Sequence, residues 1–126
     1  MTSRRVLVVE DNDVNYELVS YLLVNMDAVV LRAVTGVQAL TIGANEQPDL
    51  ILMDIQLPGM DGLEVTRRLR ASVLTREVAI VALSARAMVG DRELALDAGC
   101  NGYLTKPFSP HELQDTVRHF LSPTII

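Results

Sequence analysis

Cysteine, lysine and long apolar runs are what this 126-residue sequence has least of, and each scarcity excludes something. With Cys100 as the only cysteine, neither an internal disulfide nor a cysteine-based zinc site can form. A reducing cytoplasm is the expected compartment. The apolar runs are a few residues each, far short of the about 20 that a membrane helix needs. The opening MTSRRVLVVED reaches Glu10 after four apolar residues, too few for a signal peptide. Positive charge is also short. A net charge of −5 argues against non-specific binding to nucleic acid or anionic membranes. The one local basic cluster, Arg67, Arg68 and Arg70, reads as solvated helix surface. No linker, repeat or low-complexity stretch appears, so residues 1–126 are expected to form one domain with no output domain after it.

What is present is organised around LILMDIQLPGMDG, residues 50–62. Four apolar residues run into Asp54, and Pro58-Gly59 and Asp61-Gly62 then mark a turn. A short apolar run bounded by turn signals suits a strand buried on both faces. Similar strands are expected at 5–10, 29–33, 78–83 and 102–105. Helical periodicity separates them. The first helix carries Val14, Leu18, Leu22 and Met26 with Val19 and Leu23 beside them. The second has Thr35 as N-cap and Val37, Leu40, Thr41 and Ala44 inward. The third runs to about Ser72 through Leu63, Thr66 and Leu69, with Asp61 well placed to cap it. The fourth spans about 90–98 with Leu94, Ala95 and Ala98 on one face, closed by Gly99. The last opens on a Ser109/Glu112 capping box and carries Leu113, Val117, Phe120 and Leu121. Five strands alternating with five helices imply an α/β fold with a parallel sheet covered on both faces.

Four of the strands end in chemically active side chains: Glu10-Asp11, Asp54, Ser84 and Lys106. In a parallel sheet these ends share one edge, where open α/β sheets bind ligands. Lys106 is the only lysine beside ten arginines, and its compact, mobile charge suits a phosphate or carboxylate. Three carboxylates repel one another unless a hard cation joins them, and Mg²⁺ takes a few carboxylates with water and phosphate oxygen. The set fits phosphoryl transfer to a carboxylate. Asp54 would attack, the cation would neutralise charge, and Lys106 and Ser84 would hold phosphoryl oxygens.

The stretches VLVVEDNDVN, PDLILMDIQLPGMDGLE, IVALSA and GYLTKPF, in this order and spacing, resemble the response-regulator receiver domain of the CheY-like superfamily. The likeness covers almost the whole chain. EDNDVN and DIQLPGMDG particularly resemble stand-alone DivK-type receivers and those of hybrid histidine kinases. The resemblance implies a doubly wound flavodoxin-like sheet in the order 2-1-3-4-5. It makes Asp54 the phosphoacceptor and Asp11 a direct Mg²⁺ ligand, with Glu10 acting largely through water and the Gln56 backbone carbonyl completing the set. Mn²⁺ is an alternative ion. Ser84 matches the switch hydroxyl, Tyr103 the aromatic that follows it, Lys106 the phosphate-binding lysine, and Lys106-Pro107 a cis bond. Gln56 and Arg86 flank the expected path of attacking water, so they should slow self-dephosphorylation.

The implied function is a two-component or phosphorelay signalling protein, with self-catalysed phosphotransfer but no separate substrate to turn over. The implied partners are a histidine kinase or histidine phosphotransfer protein, and a downstream protein met through the helix 4–strand 5–helix 5 face. A monomer or a phosphorylation-dependent dimer fits equally. Rivals are weaker. A haloacid-dehalogenase-like enzyme wants an acid where Gln56 stands, and a flavodoxin-like cofactor binder wants a phosphate-cradling loop where Glu10-Asp11-Asn12-Asp13 would repel one. A receiver that binds partners without phosphorylation stays open. Asp13 reads as a plain helix-terminal acid, His111 and His119 as surface residues, and Met53, Met60 and Met88 as packing.

Overall fold

The computed structural model describes residues 4–85 and 88–121. Five strands alternate with five helices: β1 (Arg5–Val9), α1 (Asp13–Val24), β2 (Val29–Ala33), α2 (Gly36–Glu46), β3 (Leu50–Asp54), α3 (Gly62–Ala71), β4 (Ala79–Ser84), α4 (Asp91–Ala98), β5 (Gly102–Thr105) and α5 (Pro110–Leu121). The strands form one parallel sheet in the order β2-β1-β3-β4-β5. β3 is central and buried along its whole length, as its apolar run requires. None of the described helices is long and apolar enough to cross a membrane.

Alternating side chains feed two cores. Leu7, Val9, Ile51, Met53, Ile80 and Ala82 face one side with Val65, Leu69 and Ala95. Val6, Val8, Leu50, Leu52, Val81 and Leu83 face the other, against Leu23, Leu113 and Val117. The expected caps form. Thr35 accepts from the Gln38 N–H, Asp61 from the Glu64 N–H, and Ser109 and Glu112 bond each other's backbone N–H. Gly99 closes α4 in the left-handed region, and Lys106-Pro107 is cis.

Three helices bury only part of their expected faces. In α1 the buried residues are Val19, Leu22 and Leu23, while Val14 and Leu18 are 74% and 52% exposed. In α2 the fully buried residues are Gly36, Ala39 and Gly43; Leu40 packs against the core as expected, but Val37 and Thr41 point to solvent. The reason is close packing on α3: a Cβ on Gly36 would lie 2.7 Å from Val65 Cγ2. In α4 only Ala95 and Ala98 are buried, and Leu94 is 54% exposed. Met88 is likewise exposed rather than packed.

The basic cluster on α3 also divides differently. Arg67 and Arg68 both reach Glu64. Arg70 is no solvated cation. It donates to the Gly99, Arg76 and Val78 carbonyls at 2.9, 3.1 and 2.6 Å and to Asn101 Oδ1 at 2.9 Å, tying α3 to the turns before β4 and β5.

Candidate functional site

The carboxyl edge of the sheet gathers the strand-terminal residues, and local backbone geometry explains how. At the end of β1 the Glu10 N–H still bonds the Ala33 carbonyl at 2.9 Å. The chain then turns at once into α1, whose N-cap Asn12 accepts from the Asn15 N–H at 2.9 Å. Glu10 and Asp11 therefore sit between a strand end and a helix N-terminus, where the helix dipole favours negative charge. At the end of β3, Gly62 lets α3 begin against the strand. A Cβ there would lie 2.5 Å from the Asp54 carbonyl oxygen and 2.8 Å from Ile55 Cα. At the end of β5 the Lys106 N–H extends the ladder by bonding the Ser84 carbonyl at 2.7 Å.

Glu10, Asp11 and Asp54 each bring a carboxylate oxygen within 4.8 Å of the others. Glu10 and Asp54 are buried and Asp11 is exposed at the rim, so the trio is open on one side. The Lys106 ammonium lies 2.9 Å from Glu10 Oε1 and 3.7 Å from Asp54 Oδ2. It is thus bonded chiefly to Glu10, whose other oxygen accepts from the Asn12 N–H at 3.2 Å. Asp54 Oδ1 accepts from the Gln56 N–H at 3.0 Å. Burial pushes the Asp54 carboxyl up to about 6, with the Gln56 N–H and Lys106 pulling against it and Glu10 reinforcing it.

Three carboxylates facing one ammonium are under-neutralised, and a hard divalent cation is the partner that oxygen-only donor set suits. Glu10, Asp11 and Asp54 are the side chains that would hold it, with the Gln56 carbonyl two residues beyond Asp54.

Ser84 is buried at the end of β4 and lines a cavity of about 80 Å³ with Ile55, Leu63, Asp91, Leu94 and Tyr103. Tyr103 is half-buried and lines this cavity and, on its outer side, an open groove between α4, β5 and α5. Gln56 is exposed, and its side-chain oxygen accepts from the Ala85 N–H at 3.4 Å across the mouth of the crevice. Arg86 lies outside the described residues. His111 and His119 are exposed on α5, away from the acids.

Two participants escape the sequence reading. Asp13 is not a bare helix-terminal acid, because it pairs with Arg32 at 2.8 Å. Arg32 also bonds the Glu10 carbonyl. An arginine within an otherwise apolar edge strand is the only trace this leaves in the sequence.

Residues 6–118 match the family model for the response regulator receiver domain. The polar-differentiation response regulator DivK of Brucella ovis is 38% identical over 119 residues, covering 94% of this chain and 97% of that protein. Among solved structures, the receiver domain of sensor histidine kinase PA1611 from Pseudomonas aeruginosa, which has a magnesium ion coordinated in its active-site cleft, is 39% identical with a TM-score of 0.89. It covers 97% of this chain and all of that one. Chemotaxis protein CheY4 of Vibrio cholerae is 27% identical with a TM-score of 0.89, over 95% of this chain and all of that one.

Proposed function

This chain belongs to the response regulator receiver domain family, the receiving half of two-component signalling, and from that premise we propose that Asp54 is its phosphoacceptor. The observation that carries the reading is the carboxylate trio with Lys106 at its edge. An Asp54 oxygen attacks the phosphorus of a phosphohistidine. The new O–P bond forms as the P–N bond breaks, and the electron pair stays on the departing imidazole. Bound Mg²⁺, or Mn²⁺ in its place, would neutralise charge building on the phosphoryl oxygens. Glu10, Asp11, Asp54 and the Gln56 carbonyl would hold that ion. Lys106, only 3.7 Å from Asp54, is poised to leave Glu10 for a phosphoryl oxygen. Ser84 would take another.

The donor is a histidine kinase or a histidine phosphotransfer protein. Supporting this, a cavity of about 350 Å³ lined by Leu18, Val19, Lys106, Pro107 and Phe108 adjoins the acids through Glu10. The exposed apolar residues Val14 and Leu18 lie on the adjacent helix. For the signal outward, Ser84 and Tyr103 share one cavity, so a shift of the hydroxyl towards phosphate frees room for the ring. That would alter the groove bounded by Arg92, Asp115 and His119, where a downstream protein binds.

Intact mass after incubation with Mg²⁺ and a small phosphodonor tests this. One added phosphoryl group is expected, absent in Asp54→Asn and without metal. Failure to form it, with a cognate kinase also failing, would leave a receiver that binds partners without phosphorylation. Timing the loss of the adduct also tests Gln56 and Arg86. If the two long side chains obstruct water, replacing both with alanine shortens the lifetime several-fold, on the order of 1 kcal/mol in barrier. An unchanged rate removes that role.

A further inference from the structure

We propose that Arg32 is a positioning residue for the metal-binding acids, resting on the functional reading above and holding Asp11 in place through the backbone of Glu10. Arg32 occupies the carboxyl end of β2, opposite Val8, and its side chain is 25% exposed. Its guanidinium donates twice to the Glu10 carbonyl, from Nε at 3.3 Å and Nη2 at 3.1 Å. Nη2 also donates to Asp13 Oδ1 at 2.8 Å. Its Cζ lies over the Tyr16 ring, 4.3 Å from the ring centroid. Asp13 and Tyr16 are three residues apart on the first turn of α1, so they present a carboxylate and an aromatic face to the same cation.

The carbonyl that Arg32 grips belongs to the peptide joining Glu10 to Asp11. A peptide unit is planar, so fixing its oxygen fixes the direction in which the Asp11 Cα leaves it. On the other side, Lys106 and the Asn12 N–H hold the two oxygens of the Glu10 carboxylate. The Glu10-Asp11 junction is therefore clamped from both flanks before any cation arrives. Groups of this kind, which touch a ligand rather than the metal, commonly set metal affinity.

A positioning role and a mere screening charge predict opposite results. Removing a nearby cation without moving the acids would tighten Mg²⁺ binding. Removing a clamp would weaken it. Arg32→Met keeps an apolar stem over Tyr16 and loses the donors, and Tyr16→Leu loosens the guanidinium without changing any charge.

Mg²⁺ titration by calorimetry should show Kd raised about tenfold in Arg32→Met. Arg32→Lys should recover part of the loss, and Tyr16→Leu should weaken binding about threefold. In the metal-free protein, hydrogen exchange at the Asn12 amide should quicken in Arg32→Met while the melting cooperativity is kept. Equal or tighter Mg²⁺ binding in a folded Arg32→Met overturns the proposal. If that variant does not fold, unchanged Mg²⁺ affinity in Tyr16→Leu overturns it instead. Wild-type protein that takes no Mg²⁺ would overturn the functional reading itself, and this inference with it.

Discussion

Asp54 carries the conflict on which the site runs. Its carboxyl is almost fully buried and titrates at about 6 in the metal-free protein, chiefly because burial disfavours the anion. Its folded value lies above the ordinary carboxylate value, so its contribution to stability is complete below about pH 4 and is lost as pH rises through about 6. In chelator, the urea midpoint should therefore fall between about pH 4 and about pH 6.5 and level off above, and Asp54→Asn should remove the fall. At the upper pH the variant should be the more stable by on the order of 2 kcal/mol. Identical pH profiles for the two proteins would deny that Asp54 is held as a destabilised anion. The placement of Asp54, Ser84 and Lys106 is legible from sequence because each ends a segment that reads as a strand, which fixes it to one sheet edge. Arg32 is not legible, since its partners are a carbonyl and a helix turn that become neighbours only on folding. Arg70 misleads for the same reason: three of its four acceptors named above are backbone oxygens from turns.

At the level of elements, strand identity and order follow from apolar runs that leave little alternative, whereas helix rotation does not. Val14, Leu18, Val37 and Leu94 are apolar residues on exposed faces, and a period of 3.6 fits their stripe as well as the buried one. What decides α2 is steric: its Gly36 must face α3, because a Cβ there would lie 2.7 Å from Val65 Cγ2. The start of α3 has the same logic with a functional consequence. Gly62→Ala would put a methyl group 2.5 Å from the Asp54 carbonyl oxygen, so α3 must retreat from the end of β3. Denaturation should show a loss of about 1–3 kcal/mol. The initial rate of Asp54 phosphorylation should drop with it. Gly43→Ala is the comparison, since its nearest neighbour is a leucine methyl at 3.3 Å and alanine is the better helix former. It should be near neutral in both measurements. If Gly62→Ala is equally neutral, close approach of α3 is not what seats Asp54.

For the whole molecule, the site exists only because the sheet assembles. Glu10, Asp54 and Lys106 come from the ends of three strands, with 44 residues from the first to the second and 52 from the second to the third. The unfolded chain does not bring Glu10 and Asp11 to Asp54, so Mg²⁺ should bind the folded state alone. Folding stability should then rise with Mg²⁺ as mass action requires, by about 2.7 kcal/mol at 100 times Kd. Asp11 separates this from ordinary packing, because it is exposed at the rim. Asp11→Asn should leave metal-free stability within about 0.5 kcal/mol of wild type and abolish most of the Mg²⁺-dependent gain. Thermal melts across a Mg²⁺ series would show parallel starting points and diverging slopes. A variant that still gains in full would mean that Glu10 and Asp54 suffice. The rim acid would then belong to the encounter with a partner rather than to the ion. The cost of crowding these acids would be relieved by the same cation that the proposed transfer would use.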